Sequence, residues 1–292
     1  MNNAYKVEQL PTLDEYRQNL LECGKKPATI ESYARDASQF LKFCQLKSIK
    51  IIEPICTKWF QEYLEELGEK TNSIRRSIIG VRQFLRFHFD RHQLTSPFDE
   101  THIPSRHEIM PEYLSSAELD KIFHACKKTE VELKQVRDNA IICLLGFEGL
   151  KASELIQLEW SHFIWTDLES QGCSLKIFGT KTRTIELHPK TTLALTTYKQ
   201  LLEETGENFE KVFVGFKGRK AQAKLTKMSR HGLKFMLSEV GDAAEIRGLS
   251  SEKLRHHAIA FMITNKKTPE EVMAHLGLKR LGNIAKFVST KT

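Results

Sequence analysis

Two stretches of this chain carry side chains suited to holding a phosphate. Between Lys211 and Ser238 stand eight basic residues (Lys211, Lys217, Arg219, Lys220, Lys224, Lys227, Arg230 and Lys234) and no acidic one. A charge run is usually a solvated face; the absence of counter-charge here points instead toward a polyanion backbone. The second stretch is Gly248 to Ser289, where Leu254-Arg255-His256 opens an apolar helical run. A guanidinium such as that of Arg255 offers a planar fork of donors that binds phosphate bidentately. His256 and His257 read as helix residues packed or hydrogen-bonded locally, and His275 as a helix-face residue.

The elements that must position these groups are mostly helices. Ala258, Ile259, Phe261, Met262 and Ile263 are spaced to bury one face. Thr268-Pro269-Glu270-Glu271 starts the next helix, with Thr as N-cap, Pro in the first turn and Glu at the third position. Leu276-Gly277 ends it, and a last short helix runs from Asn283 to Val288. Upstream, four amphipathic stripes fill Thr12 to Phe89: Leu13-Tyr16-Leu20-Leu21, Ile30 to Cys44, Trp59 to Leu67, and Ile74 to Phe87. Their aromatics (Tyr16, Trp59, Phe60, Tyr63, Phe84, Phe87) read as core. Prolines 97, 104 and 111 mark an extended connector. Ser115-Ser116-Ala117-Glu118 caps a new helix, and Ser174 to Leu187 alternates like a β-hairpin. Thr226 is placed to cap a helix bearing Lys227, Arg230, His231 and Lys234.

Composition narrows the class. The chain has 292 residues, 40% hydrophobic and 28% charged, which describes two folded domains and excludes a disordered chain. A net charge of +7 permits nucleic-acid binding. No apolar run approaches the ~20 residues of a membrane span, and the N-terminus lacks a signal peptide's apolar core. The six cysteines form no C-x-x-C pair and read as reduced thiols of a cytoplasmic protein, with no metal site and no cofactor expected.

The C-terminal stretch resembles the catalytic domain of the tyrosine recombinases, the phage integrase family, whose pattern is His-x-x-Arg-His, a helix, Leu-Gly-His, and a tyrosine ten residues past that Gly. Residues 137 to 163, RDNAIICLLGFEGLKASELIQLEWSHF, are similar to the family's first box, with Lys151 at its Arg position and Glu154 at its acidic one. PATIESYARDASQFLKF and NSIRRSIIGVRQFLRF resemble phrases of its core-binding domain. The resemblance implies a mostly α fold with a small β-sheet in two domains: a helical core-binding (SAM-like) domain over 1–95, a linker over 96–112 and a catalytic-type domain over 113–292. It implies a C-shaped clamp on double-stranded DNA. Contacts are expected from Arg35, Arg75, Arg76, Arg82, Lys151, Lys181, Arg183, Lys224, Lys227, Arg230, Lys253 and Arg255. Lys181 stands near the family's catalytic lysine, in a shorter turn.

Four positions depart from the pattern. Lys151 replaces an arginine fork with a point charge, and Glu252 stands at the first histidine, where it either repels phosphate or pairs with Arg255. Leu278 cannot donate a hydrogen bond, and Phe287 occupies the tyrosine position. The last tyrosine in the chain is Tyr198, and the rival nucleophiles are Ser289 and His275. Taken together, these departures predict a DNA-binding pseudo-enzyme: a transcriptional repressor of a phage or mobile element, associated with the nucleoid. A regulatory protein or peptide is a further partner of that reading. The alternatives are a recombinase with unusual chemistry and an accessory factor. The chain's stop at Thr292, short of the family's exchanged helix, predicts a monomer or simple dimer.

Overall fold

The computed structural model describes residues 5–98, 100–105, 112–166, 172–179, 181–217, 224–280 and 282–288. Pro111, the linker residues 106–110, Arg219, Lys220 and Ser289 therefore lie outside the described residues. The chain divides into two compact units, Met1–Ile109 and Met110–Thr292.

In the first unit, strand β1 (Tyr5–Lys6) precedes α1 (Leu13–Glu22) and α2 (Pro27–Leu46), and β2 (Ile51–Ile52) precedes α3 (Ile55–Glu66) and α4 (Thr71–Arg91). Thr12 starts α1 through a capping box, accepting from the Glu15 amide while its own amide donates to the Glu15 carboxylate at 2.7 Å. The four stripes meet in an aromatic core, where Phe40 lies edge-on to Phe60 at 5.4 Å and Tyr16 edge-on to Phe84 at 5.2 Å. Trp59 departs from the core expectation, being 45% exposed. It flanks the stripe that buries Cys56, Phe60 and Leu64 at four-residue spacing. Leu21 and Leu67 are exposed for the same reason.

Among the described residues, one carboxylate is buried in this bundle. Asp36 on α2 is fully buried and accepts two 2.8 Å bonds from the Arg76 guanidinium on α4, with the Ser77 hydroxyl at 3.4 Å. Burial raises the Asp36 pKa, and the Arg76 charge opposes that rise. Gly80 makes room for it, because a Cβ there would lie 2.5 Å from Asp36 Oδ2.

The second unit begins with α5 (Ser116–Cys126), capped by Ser115 and Glu118, and α6 (Glu132–Gly146). Helix α6 is buried on all sides from Ala140 to Gly146, as its unbroken apolar run requires, and packs against α5, α8 and α10. After α7 (Ala152–Leu155) come three antiparallel strands in sequential order, β3 (Phe163–Trp165), β4 (Cys173–Ile177) and β5 (Arg183–Glu186). The expected hairpin is β4–β5, with Leu175 facing Ile185. Helix α8 spans Pro189–Glu204.

The basic run folds differently from the expectation. It forms a hairpin, β6 (Val214–Lys217) with β7 (Lys224–Lys227), and α9 (Arg230–Ala243) follows. Ser229 caps α9 by accepting from the Gly232 amide at 3.0 Å. Thr226 instead pairs with Gly215 in the ladder, a strand position that its β-branched side chain suits. Helices α10 (Ser251–Thr264), α11 (Pro269–Leu276) and α12 (Gly282–Val288) complete the unit. Thr268 and Glu271 form the capping box read from sequence, and Gly277 closes α11 in the left-handed region at φ 63°.

Gly80→Ala should destabilise the protein by ~1–3 kcal/mol, although alanine is the better helix former, because overpacking against Asp36 outweighs propensity. Urea denaturation checks this, and an unchanged or raised midpoint would show that α2 and α4 can move apart.

Candidate functional site

The site is built around the C-terminal end of α11. Arg255, one turn into α10, is 5% exposed. Its Nη1 donates to the carbonyl of Gly149 and its Nη2 to that of Leu276 at 3.3 Å. Arg183, on the first position of β5, donates from Nε to the His275 carbonyl at 2.7 Å. Its two terminal nitrogens grip both oxygens of Glu154 at 3.0 and 3.1 Å. Two guanidiniums thus cover the last carbonyls of α11, where the helix dipole favours cations. Burial lowers the Arg255 pKa, and Glu154 and Glu252 oppose it.

Gly149 has a sterically fixed reason to be glycine. Its φ is +64°, and a Cβ there would lie 2.6 Å from Leu276 Cδ2 and 3.2 Å from Ala258 Cβ. The turn between α6 and α7 therefore lies directly on α10 and α11. Next to it, the Lys151 amide donates to Glu154 Oε2 at 2.9 Å, while its Nζ is 3.8 Å from Oε1 and the side chain is 43% exposed. Burial raises the Glu154 pKa, but the bonds from Arg183 and Lys151 lower it further, leaving a net depression.

Below this knot, Glu148 Oε1 accepts from the His188 amide at 2.9 Å and the Thr191 hydroxyl at 2.6 Å. Its Oε2 lies 3.5 Å from His275 Nε2, which is buried and makes no hydrogen bond among the described residues. Glu252 pairs with His256 at 3.3 Å; the alternative pairing with Arg255 is not the one formed among the described residues. That bond lowers the Glu252 pKa and raises the His256 pKa.

The two histidines of α10 hold an extended segment that leads into α5. His256 Nδ1 lies 3.1 Å from the Glu112 carbonyl and His257 Nδ1 2.6 Å from the Leu114 carbonyl. Lys253 Nζ is 3.6 Å from the Glu112 carboxylate. Phe287 is 6% exposed and packs among Ala258, Met262 and Ile284, with Leu278 partly buried against the same cluster. Its ring lies 5.4 Å from that of His256 and 6.2 Å from that of Tyr113. Sequence reading passed over Tyr113, because counting forward from Gly277 cannot reach a residue that the fold returns from the unit's beginning.

The other sequence-selected residues fall into two sets. Lys224, Lys227 and Arg230 are exposed at the β7–α9 junction, and Lys181 is exposed in the β4–β5 turn. In the first unit Arg35 is exposed, Arg76 is tied to Asp36, Arg75 donates to the Pro104 carbonyl at 2.5 Å, and Arg82 to that of Thr101 at 3.5 Å. Arg183 and Arg255 are both committed to intramolecular bonds, which motif spacing does not reveal.

A helical unit followed by an α/β unit with an arginine-bearing α10 and a basic hairpin is the architecture of DNA integrases. The chain belongs to the phage integrase family: residues 112–290 match that family, and residues 13–92 match the phage integrase N-terminal SAM-like domain. It is similar to the tyrosine recombinase XerC of Oceanobacillus iheyensis, 25% identical over 92% of this chain and 88% of that one. The tyrosine recombinase XerD of Staphylococcus haemolyticus is 27% identical over 91% and 89%. The fold is that of the XerH site-specific recombinase bound to palindromic difH substrate (TM-score 0.71, 16% identity, 98% of this chain and 84% of that one). A lambda integrase (75–356) dimer bound to a COC′ core site gives 0.66 at 16% identity, covering 92% and 94%.

These comparisons overturn the expectation that the chain is not an enzyme. Relatives aligned along 92% and 91% of the chain are named tyrosine recombinases, and nothing in the fold shows inactivity. The repressor reading rested on lost catalysis alone, and these comparisons do not show it. The chemical observation that remains is that the phenyl ring of Phe287 has no oxygen, so any covalent step draws its nucleophile from another residue.

Arg183→Met should cost ~3–5 kcal/mol by leaving the buried Glu154 without its bidentate partner, held only by Lys151, and Glu154→Gln in the same chain should recover much of that loss. A double-mutant cycle in urea checks it; additive losses would show that the pair is not coupled. Separately, the raised His256 pKa contributes stability that is complete below its unfolded value of ~6.5 and lost as pH rises through the folded value. The unfolding midpoint should therefore fall more steeply than in His256→Gln as pH rises above about 6.5. Equal slopes would show that the Glu252 pair does not form in solution.

Proposed function

We propose that this chain binds duplex DNA at a specific sequence and acts in site-specific recombination there. The observation that carries the reading is the cationic surface around β7 and the start of α9. Lys224, Lys227, Arg230 and Lys234 are exposed there and form no ion pair among the described residues. Exposed cations that form no salt bridge are available to displace counter-ions from phosphates. The names of the relatives and the DNA-bound states of the solved neighbours agree with this chemistry.

Within the reading, roles divide by exposure. Lys151, half-exposed beside Glu154, is the side chain of the buried knot that can reach a phosphate. Arg255 and Arg183 build the floor beneath it. Exposed cations position the duplex, and sequence is read by whichever side chains reach base edges.

Lys227→Ala and Arg230→Ala should each weaken binding to selected and random duplexes by a similar factor. Each should reduce the slope of log affinity against log salt by about 0.9 for every phosphate that the variant no longer neutralises. Salt titrations on duplexes selected from a random-sequence library, and on the unselected library, measure this. Unchanged slopes in both variants would remove the β7–α9 junction from the interface. Failure to select any duplex would remove the DNA-binding reading itself.

A further inference from the structure

Helix α3 carries two apolar stripes, and the core takes one of them. Cys56, Phe60 and Leu64 recur at every fourth position and are buried in the first unit. Ile55, Trp59, Tyr63 and Leu67 recur at the same spacing one position earlier, about 100° around the helix axis. Ile55, Trp59 and Leu67 are exposed, and Tyr63 is half-buried. Exposed apolar residues scattered singly are ordinary, whereas a second stripe beside a filled one marks a contact surface.

The stripe borders a groove. Phe43, buried at the end of α2, has its ring 5.2 Å from that of Tyr63, and Trp59 and Ile49 stand beside them. The cavity is about 300 Å³, which accepts one or two side chains of a larger ligand. Glu62 and Glu66 line it, each three residues past an aromatic of the stripe and so on the same side of the helix. Among the described lining residues, Lys47 is the one cation. The carboxylates belong to a wider field. From Glu53 to Glu69 the sequence holds five glutamates (Glu53, Glu62, Glu65, Glu66 and Glu69) and one cation, Lys58, in a chain of net charge +7. Lys58 lies 3.9 Å from Glu62, an exposed pair that leaves the field negative. A face of this sign repels phosphates and attracts a basic partner.

We propose that this face of α3 docks a basic amphipathic helix of another protein. Apolar side chains three and four residues apart on that helix meet Trp59, Tyr63 and Phe43, while its flanking lysines or arginines pair with Glu62 and Glu66. An aromatic centre with charges at the rim is the arrangement in which a few residues carry most of the binding energy. The docking draws on none of the residues assigned to phosphate, so it goes beyond the DNA-binding reading and stands apart from it.

The full-length chain is panned against a displayed library of helical peptides of about 18 residues, with leucines at i, i+3, i+4 and i+7 and flanking positions drawn from Lys, Arg, Gln and Glu. Selection should enrich Lys and Arg at the flanks. A selected peptide, synthesised and titrated, should bind Trp59→Ala about 30-fold more weakly, the loss typical of truncating a central interface tryptophan. Glu62→Lys combined with Glu66→Lys should turn the library's preference to Glu, a reversal that an unfolded variant cannot give. Urea midpoints of both variants should match that of the unaltered chain, because these side chains lie outside the core. No enrichment, enrichment without a Lys or Arg preference, full affinity in Trp59→Ala, or an unreversed preference in the double variant would each overturn the proposal. A concentration-dependent dimer that Trp59→Ala abolishes would assign the face to a second copy of this chain, and would overturn it equally.

Discussion

The second unit depends on two arginines that cover the C-terminal carbonyls of α11. Arg255 reaches Gly149 and Leu276, and Arg183 reaches His275 and both oxygens of Glu154. Between them they join the α6–α7 turn, β5, α10 and α11, elements far apart in sequence. Removing a buried charge of this kind leaves its partner desolvated and unpaired, which costs more than the intact pair contributes. The positive potential at the site is thus built into what holds the unit together. Lys151, which lies at the surface of the knot, is the member whose charge can turn outward without loosening the fold.

This double use explains why motif reading assigned residues correctly to a neighbourhood and not to their bonds. An arginine in an integrase-like pattern looks the same in sequence whether it faces solvent or two carbonyls. Arg183 was selected for its charge, yet its side chain is 7% exposed. The signal that locates its partner is Glu154, retained at the first box, because a buried carboxylate requires a cation.

Much of the architecture was legible from local chemistry. Thr12, Ser115 and Thr268 each mark a helix start through a capping box whose carboxylate sits three residues on. The apolar run of α6 announced a helix with no solvent face. The β6–β7 hairpin was not legible, because its strands are four residues long, β6 ending on a lysine and β7 carrying one at each end. Their pairing comes from each other and from the unit beneath, so no periodicity records it. Trp59 was misplaced because stripe membership resolves a helix face only to within one residue. The proximity of Tyr113 to Phe287 was beyond any reading by count, since it is produced by the return of α12 onto α10.

The paired histidines on α10 have a consequence for chain length. Consecutive helix residues diverge by about 100°, whereas alternate carbonyls of an extended segment point the same way and stand roughly 6–7 Å apart. His256 and His257 therefore receive carbonyls 112 and 114 only if that segment runs across the helix axis in one register. The arrangement works as a ruler two residues long. Residues can be gained or lost upstream of Glu112 without disturbing it, but a single insertion between Glu112 and Leu114 puts a different side chain against Phe287.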